Sequence, residues 1–266
     1  MSTSAAAHLN PVEALVRQYQ LSQSPQQSKL QPRLAHGGRS WHDDKWEAWC
    51  MGSLLSDYPG LSLRPADVDE MVLAGTFTFA AVHDGEELSD SYEIRIATPK
   101  DFPRDLPTIH EIGNRIPEDF HKLDDGSLCL GSRLRLHMIA STTPTLHAYV
   151  RNALIPYLYG FTYRETHGTL PFGELGHSVS KFIDDYMQIF RVSTADAAKR
   201  MIELAAMPRR RANKRPCPCG SRLRVGRCHH LVLNRLRDRI GHKWFQGEHR
   251  RIFEKRSAFS KALRTS

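Results

Sequence analysis

MVLAGTFTFAAVHDGEELSDSYEIRIA, residues Met71–Ala97, holds two runs in which apolar and polar residues alternate. Phe77, Phe79 and Ala81 alternate with Thr76, Thr78 and Ala80; Tyr92, Ile94 and Ile96 alternate with Glu93 and Arg95. A period of two places each apolar set on one face of a strand. The intervening HDGEE, from His83, is a glycine-containing turn. Two such runs across such a turn predict an antiparallel hairpin with one buried face. Pro99, Pro103 and Pro107 break the alternation, and TIHEI, from Thr108, offers a third strand.

Around the hairpin the periodicity is helical. A helix is expected from about Asp43 to Leu55, with Trp46, Trp49 and Cys50 on its inner face and Pro59-Gly60 ending it. Another starts at Thr143-Pro144 and buries Leu146, Val150, Leu154 and Leu158. A third spans Ser178 to Phe190, with Val179, Phe182, Ile183, Tyr186, Met187 and Phe190 in one stripe. A fourth starts at Ser193, with Asp196 completing a capping box, and buries Ala198, Met201, Ile202 and Ala205. Near the N-terminus Asn10-Pro11 opens a short helix through Val12, Leu15, Val16 and Tyr19, and the polar Gln20–Pro32 reads as a linker. Strands in one block and helices in others give an α+β fold class.

CPCGSRLRVGRCHH, Cys217–His230, places Cys217, Cys219, Cys228 and His229 at C-x-C and C-H spacing. Thiolates and imidazole are zinc ligands, and four of them close a tetrahedral structural site with no open position. His230 is the rival for the fourth place. A basic linker, PRRRANKRP from Pro208, precedes this module.

The chain of 266 residues carries a net +8, unevenly spread. Residues 208–266 hold 18 Lys/Arg and 3 Asp/Glu, a net +15, and residues 1–207 carry −7. A tail so basic attracts polyanions or an acidic protein surface. No run approaches the roughly 18–20 apolar residues of a bilayer span, and the N-terminus lacks the pattern of a secretory signal. The five cysteines do not form a disulfide framework, so a reducing, cytoplasmic setting is expected. There, cysteines are ligands, nucleophiles or core filler. Cys50, between tryptophans, reads as core.

Cys129 lies in DGSLCLG, behind Asp124 and Asp125, and reads either as a small buried hydrophobe or as a nucleophile on a turn. FPRDLP, from Phe102, follows the hairpin; then come a strand, His121, Gly126-Ser127-Leu128-Cys129-Leu130, and a long helix. This order resembles the ubiquitin-conjugating enzymes over roughly residues 40–165. That family has a helix, a four-stranded antiparallel meander, a proline-rich step, a histidine, and a catalytic cysteine in a Gly-x-x-Cys-Leu context. The resemblance implies a ubiquitin-conjugating-like fold, with Cys129 as a thioester carrier and His121 beside it. His121 itself reads as a loop-holding hydrogen-bonder or a general base.

Eukaryotic members carry His-Pro-Asn where this chain has His121-Lys122-Leu123, so the asparagine that stabilises the oxyanion is missing. Shortened segments of this kind are what bacterial relatives look like, and antiphage defence is the setting they suggest. Backbone N–H groups at Gly126 and Ser127, or His137 or His147, are the substitute donors to consider. Asp124 and Asp125 disfavour a thiolate but could orient an incoming lysine. HGTLPFGELGHS, from His167, is either a plain connection or a loop that brings His177 to Cys129.

The tail resembles the SEC-C motif, also found on the bacterial preprotein translocase motor, through the same four ligands and Gly220-Ser221. It implies a structural zinc and a surface for a chaperone or acidic partner. The division expected is an N-terminal arm at 1–39, the conjugating-like domain at 40–165, a helical extension at 166–207 and the zinc tail at 208–266. The implied partners are a ubiquitin-like protein and its activating enzyme; a catalytically silent scaffold is the alternative, with nucleic acid on the tail ranked last.

Overall fold

The computed structural model describes residues 41–171 and 179–262. The N-terminal helix and linker read from the sequence, and the Gly173–His177 part of the glycine loop, lie outside these. The chain begins with α1 (Trp41–Ala48) and α2 (Met51–Asp57), then strands β1 (Leu61–Arg64), β2 (Glu70–His83), β3 (Glu86–Pro99) and β4 (Thr108–Glu111). Helices follow: α3 (Arg133–Thr142), α4 (Leu146–Tyr149), a π-helical stretch (Val150–Leu154), α5 (Ile155–His167), α6 (Val179–Phe190) and α7 (Ala195–Ala206). The last are α8 (Arg209–Ala212), a 3-10 turn (Val225–Arg227), α9 (His230–Ile240) and α10 (His242–Ala262). The fold is α+β, and no described helix is long and apolar enough to cross a membrane.

The four strands form one antiparallel sheet in the order β1-β2-β3-β4. The hairpin is as expected: His83 pairs with Glu86 around Asp84 and Gly85, both at positive φ, as a two-residue turn of this twist requires. Phe77 pairs with Tyr92 and Leu73 with Ile96, all buried; on the other face Thr78 bonds Ser91 at 2.8 Å. β1 was not legible beforehand. It enters through a backbone approach that only glycines allow, since a Cβ on Gly75 would lie 2.2 Å from Gly60 O.

The chain divides into two compact units. Among the described residues, one unit holds 41–130 and 143–171, and the other 131–142 and 179–262. In the sheet unit α5 packs on β2 and β3. The rings of Trp49, Phe102 and Tyr149 meet edge to face, and Tyr58 stacks on Phe77 with centroids 4.3 Å apart. Leu146, Val150, Leu154 and Leu158 are all buried as predicted. The first helix is two. Cys50 adopts left-handed φ and separates α1 from α2, so it is half-buried at a break instead of in the core.

The helical unit has one core. Leu134, Ile183, Tyr186, Phe190, Ala198, Met201, Ile202 and Ala205 share it with Cys217, Val225, Leu233, Leu236 and Phe245. The Cys217–Val225 knuckle, too small to bury much apolar area alone, thus shares a core with the helices before Pro208. The basic linker is part of it, with Ala212 buried in α8 and Val225 N–H bonded to Arg215 O at 2.9 Å. Two smaller corrections apply. The cap of α7 is Thr194, whose hydroxyl accepts from Ala197 N, in place of the Ser193 box with Asp196. And α3, in RLRLHMIAST, is a helix the sequence reading passed over.

Candidate functional site

Two sites can be built from residues upward, one in each unit. In the sheet unit the chain turns after β4 around Glu111, whose buried carboxylate accepts the N–H groups of Gly113 and Ile116. It then reaches Phe120 and His121. Leu128 N–H bonds Ile109 O at 2.7 Å, which lays this segment beside β4, and Lys122 and Leu128 form an isolated antiparallel bridge. The bridge brings the two sequence-predicted residues together: Cys129 N–H donates to His121 O at 2.7 Å.

Between them is a closed turn. Leu123 N–H bonds Ser127 O, Gly126 N–H bonds Leu123 O, and Gly126 takes φ 77°. Asp125 accepts from both the backbone N–H and the hydroxyl of Ser127, which hold its carboxyl below the usual range. Asp125 thus shapes the turn, while Asp124 is exposed. Cys129 is half-buried.

His121 is buried and sits at φ 43°, a left-handed conformation that costs a non-glycine residue about 1 kcal/mol or more. The donors considered for an oxyanion are engaged otherwise. Gly126 and Ser127 spend their N–H groups in the turn. His147 bonds Asp57 at 2.8 Å. His137 is buried against Trp244, and burial, reinforced by Arg133, pulls its pKa down to about 4.

One residue of this site was missed. Tyr157, in α5, shares its one hydroxyl proton between Phe120 O at 3.0 Å and His121 O at 3.3 Å. The available signal was a tyrosine beside Leu158 in an apolar helix.

In the helical unit Cys217, Cys219, Cys228 and His229 place their donor atoms within 4.8 Å of one another. Cys217 N–H bonds Leu223 O, and Pro216 bridges Arg224, making a tight knuckle; Gly220 and Arg222 take positive φ inside it. Cys228 follows the 3-10 turn, and His229 occupies the position just before α9. His229 Nδ1 lies 3.2 Å from Cys217 Sγ and 3.1 Å from Cys228 Sγ, and the Cys219 and Cys228 sulfurs are 3.5 Å apart.

Three sulfurs and a nitrogen this close could hold a metal ion. A tetrahedral ion with metal–sulfur bonds of about 2.3 Å separates its sulfur ligands by roughly 3.8 Å. His229 Nε2 lies 3.2 Å from Arg191 O, so a ligating Nδ1 is matched by an Nε2–H with a fixed acceptor. Burial pushes the Cys217 thiol up to about 12. At Cys219 burial acts the same way but is outweighed by hydrogen bonds from Ser221, and the thiol falls to about 6. His230 is not in the cluster.

No protein-family model, curated protein or solved structure matches this chain.

Proposed function

We propose that the chain is a thioester carrier of ubiquitin-conjugating type, with Cys129 as the nucleophile and a structural zinc in the helical unit. The observation that supports this most is the pairing of Cys129 N–H with His121 O across a closed turn beside β4. It fixes the backbone of a half-buried cysteine at the end of a four-stranded meander. The Cys129 thiol loses its proton to solvent, and the thiolate attacks the C-terminal thioester carbonyl of a ubiquitin-like modifier carried by an activating enzyme. The new C–S bond forms as the old one breaks, and the departing thiolate takes up a proton. Attack by an amine then forms the C–N bond and breaks the C–S bond, and the departing Cys129 thiolate takes up the proton that the amine loses. The donor set of three sulfurs and one imidazole is the set zinc prefers in closed structural sites. Exposed Arg215, Arg222 and Arg224 around the knuckle, with Arg209, Arg211 and Lys214 just before it in the chain, suit an acidic protein partner.

One observation favours a second reading, a catalytically silent scaffold. The Gly126 and Ser127 N–H groups and His147 are all committed to bonds within the fold. Incubation with an activating enzyme, ATP and a ubiquitin-like protein separates the two readings. The carrier gives a thiol-sensitive adduct with wild type, a thiol-resistant ester with Cys129→Ser and none with Cys129→Ala. An adduct that survives in Cys129→Ala overturns the assignment, and no adduct with any charged modifier leaves the scaffold.

A further inference from the structure

Three residues on one face of α5, Tyr157, Phe161 and Arg164, close on the ring of Phe120. The ring centroids of Tyr157 and Phe161 lie 5.6 and 4.8 Å from that of Phe120, and the Arg164 guanidinium sits 5.1 Å above it. The spacing i, i+4, i+7 makes this a single helical stripe. Phe120 is buried, and the next residue, His121, is the one held at φ 43°. The Tyr157 hydroxyl reaches the carbonyls on both sides of the His121 Cα, at 3.0 and 3.3 Å. The second of these carbonyls also receives the Cys129 N–H, at 2.7 Å. One side chain on a rigid helix thus bonds the two carbonyls that bracket the strained residue, one of which sets the Cys129 backbone.

We infer that Tyr157 is a positioning residue for Cys129, holding the left-handed His121 in place through its two flanking carbonyls. The inference rests on the carrier reading of Cys129 for its consequence in transfer, though not for the clamp itself. Strain at a non-glycine residue persists only where its surroundings over-determine it, and this hydroxyl is a buried donor placed to do so. It remains a donor throughout the working pH range, because burial, with the charge of an ionised Cys129, drives its own ionisation far above the usual tyrosine value. Removing the hydroxyl removes the donor from both carbonyls and lets the His121–Cys129 pairing open more often.

The test is Tyr157→Phe in the full chain, which keeps the ring against Phe120. Losing one buried hydrogen bond worth about 1.4 kcal/mol should raise local opening about tenfold. Amide exchange at Cys129 should therefore speed up about tenfold while exchange in β2 and β3 stays the same. In the adduct assay, transfer to Cys129 at saturating charged activating enzyme should fall, with half-saturation unchanged. A purely structural tyrosine would lower the melting temperature and leave that split unaltered. Unchanged exchange at Cys129 overturns the clamp. Faster exchange with an undiminished transfer rate overturns the positioning role. If wild type forms no adduct while exchange still quickens, the carrier reading falls and the clamp stands.

Discussion

In the sheet unit every strand position has a partner fixed by register, and the core is closed by rings: Trp49 on Phe102, Phe102 on Tyr149, Tyr58 on Phe77. Among its described residues the helical unit has no such ladder. Its α6 buries Ile183, Tyr186 and Phe190, its α7 buries aliphatic and small residues, and the apolar contents of the Cys/His knuckle, Cys217 and Val225, complete the same core. A sheet with a full hydrophobic face can hold itself together. A set of helices around a tight, strained knuckle depends on whatever fixes the knuckle. The contrast predicts two units that respond to different insults.

The largest effect should come from the metal. A structural zinc contributes on the order of 10 kcal/mol to the fold it closes. The purified chain should carry one zinc. Cys219→Ser should abolish stoichiometric binding, and chelation should expose the amides of Ala195–Ala206 and His230–Ile240 to exchange while those of β2 and β3 keep their protection. If α7 stays protected after chelation, the shared core does not depend on the ion, and the boundary near Pro208 that the sequence suggested stands as a stability boundary.

A smaller effect belongs to His137, 6 % exposed and faced by Arg133, Glu248 and the Trp244 ring. Its pKa in the folded chain is about 4, below the ordinary 6.5, because burial disfavours the charged ring. The unfolded chain thus binds the proton more readily. Stability is complete above pH 6.5 and declines as pH falls toward 4, by about 3 kcal/mol at 1.36 kcal/mol per unit. Acid also protonates thiolates, so the informative quantity is the difference between wild type and His137→Gln in denaturant melts at pH 7 and 4.5. The variant should lose less stability on acidification. Equal losses would place the acid sensitivity of the helical unit in the metal site alone.

The two units also differ in how far their sequences could be read. Local periodicity named the hairpin, the stripes at Leu146–Leu158 and Ile183–Phe190, and the four clustered donors, because each of these is written in spacing along a few turns or strands. What was missed depends on contacts between distant segments. β1 pairs through Gly60 and Gly75, fifteen residues apart, and has no alternation long enough to mark it. The break at Cys50 is a single left-handed residue inside an apolar run. The merged core of the helical unit joins Leu134 to Phe245, a separation no periodicity reports. At the candidate nucleophile, Cys129 and His121 were visible as types, whereas Tyr157 gains its place only when α5 folds back over the loop.

The smallest effect tests whether the sheet unit is closed by rings or by charge. Arg115 donates to both Asp90 oxygens, at 2.8 and 2.7 Å, and to Glu165 at 2.6 Å, with its guanidinium 4.6 Å from the Tyr92 ring centre. Asp90 also accepts from Thr162, so the cluster ties β3 to α5. The geometry is that of a strong bidentate pair, and Arg115 holds the Asp90 carboxyl low against the opposing effect of burial. Yet Arg115 and Glu165 side chains are each 39 % exposed, and solvent screens charges so placed. Exposed pairs typically contribute about 0–1 kcal/mol, and less as salt rises. Arg115→Met should therefore cost under about 1 kcal/mol in denaturant melts, with the gap narrowing in high salt. Truncation of a buried ring such as Phe77→Ala should cost about 3–5 kcal/mol. A salt-insensitive loss at Arg115 that rivals the ring truncation would mean the network, and not the aromatic core, holds α5 on the sheet.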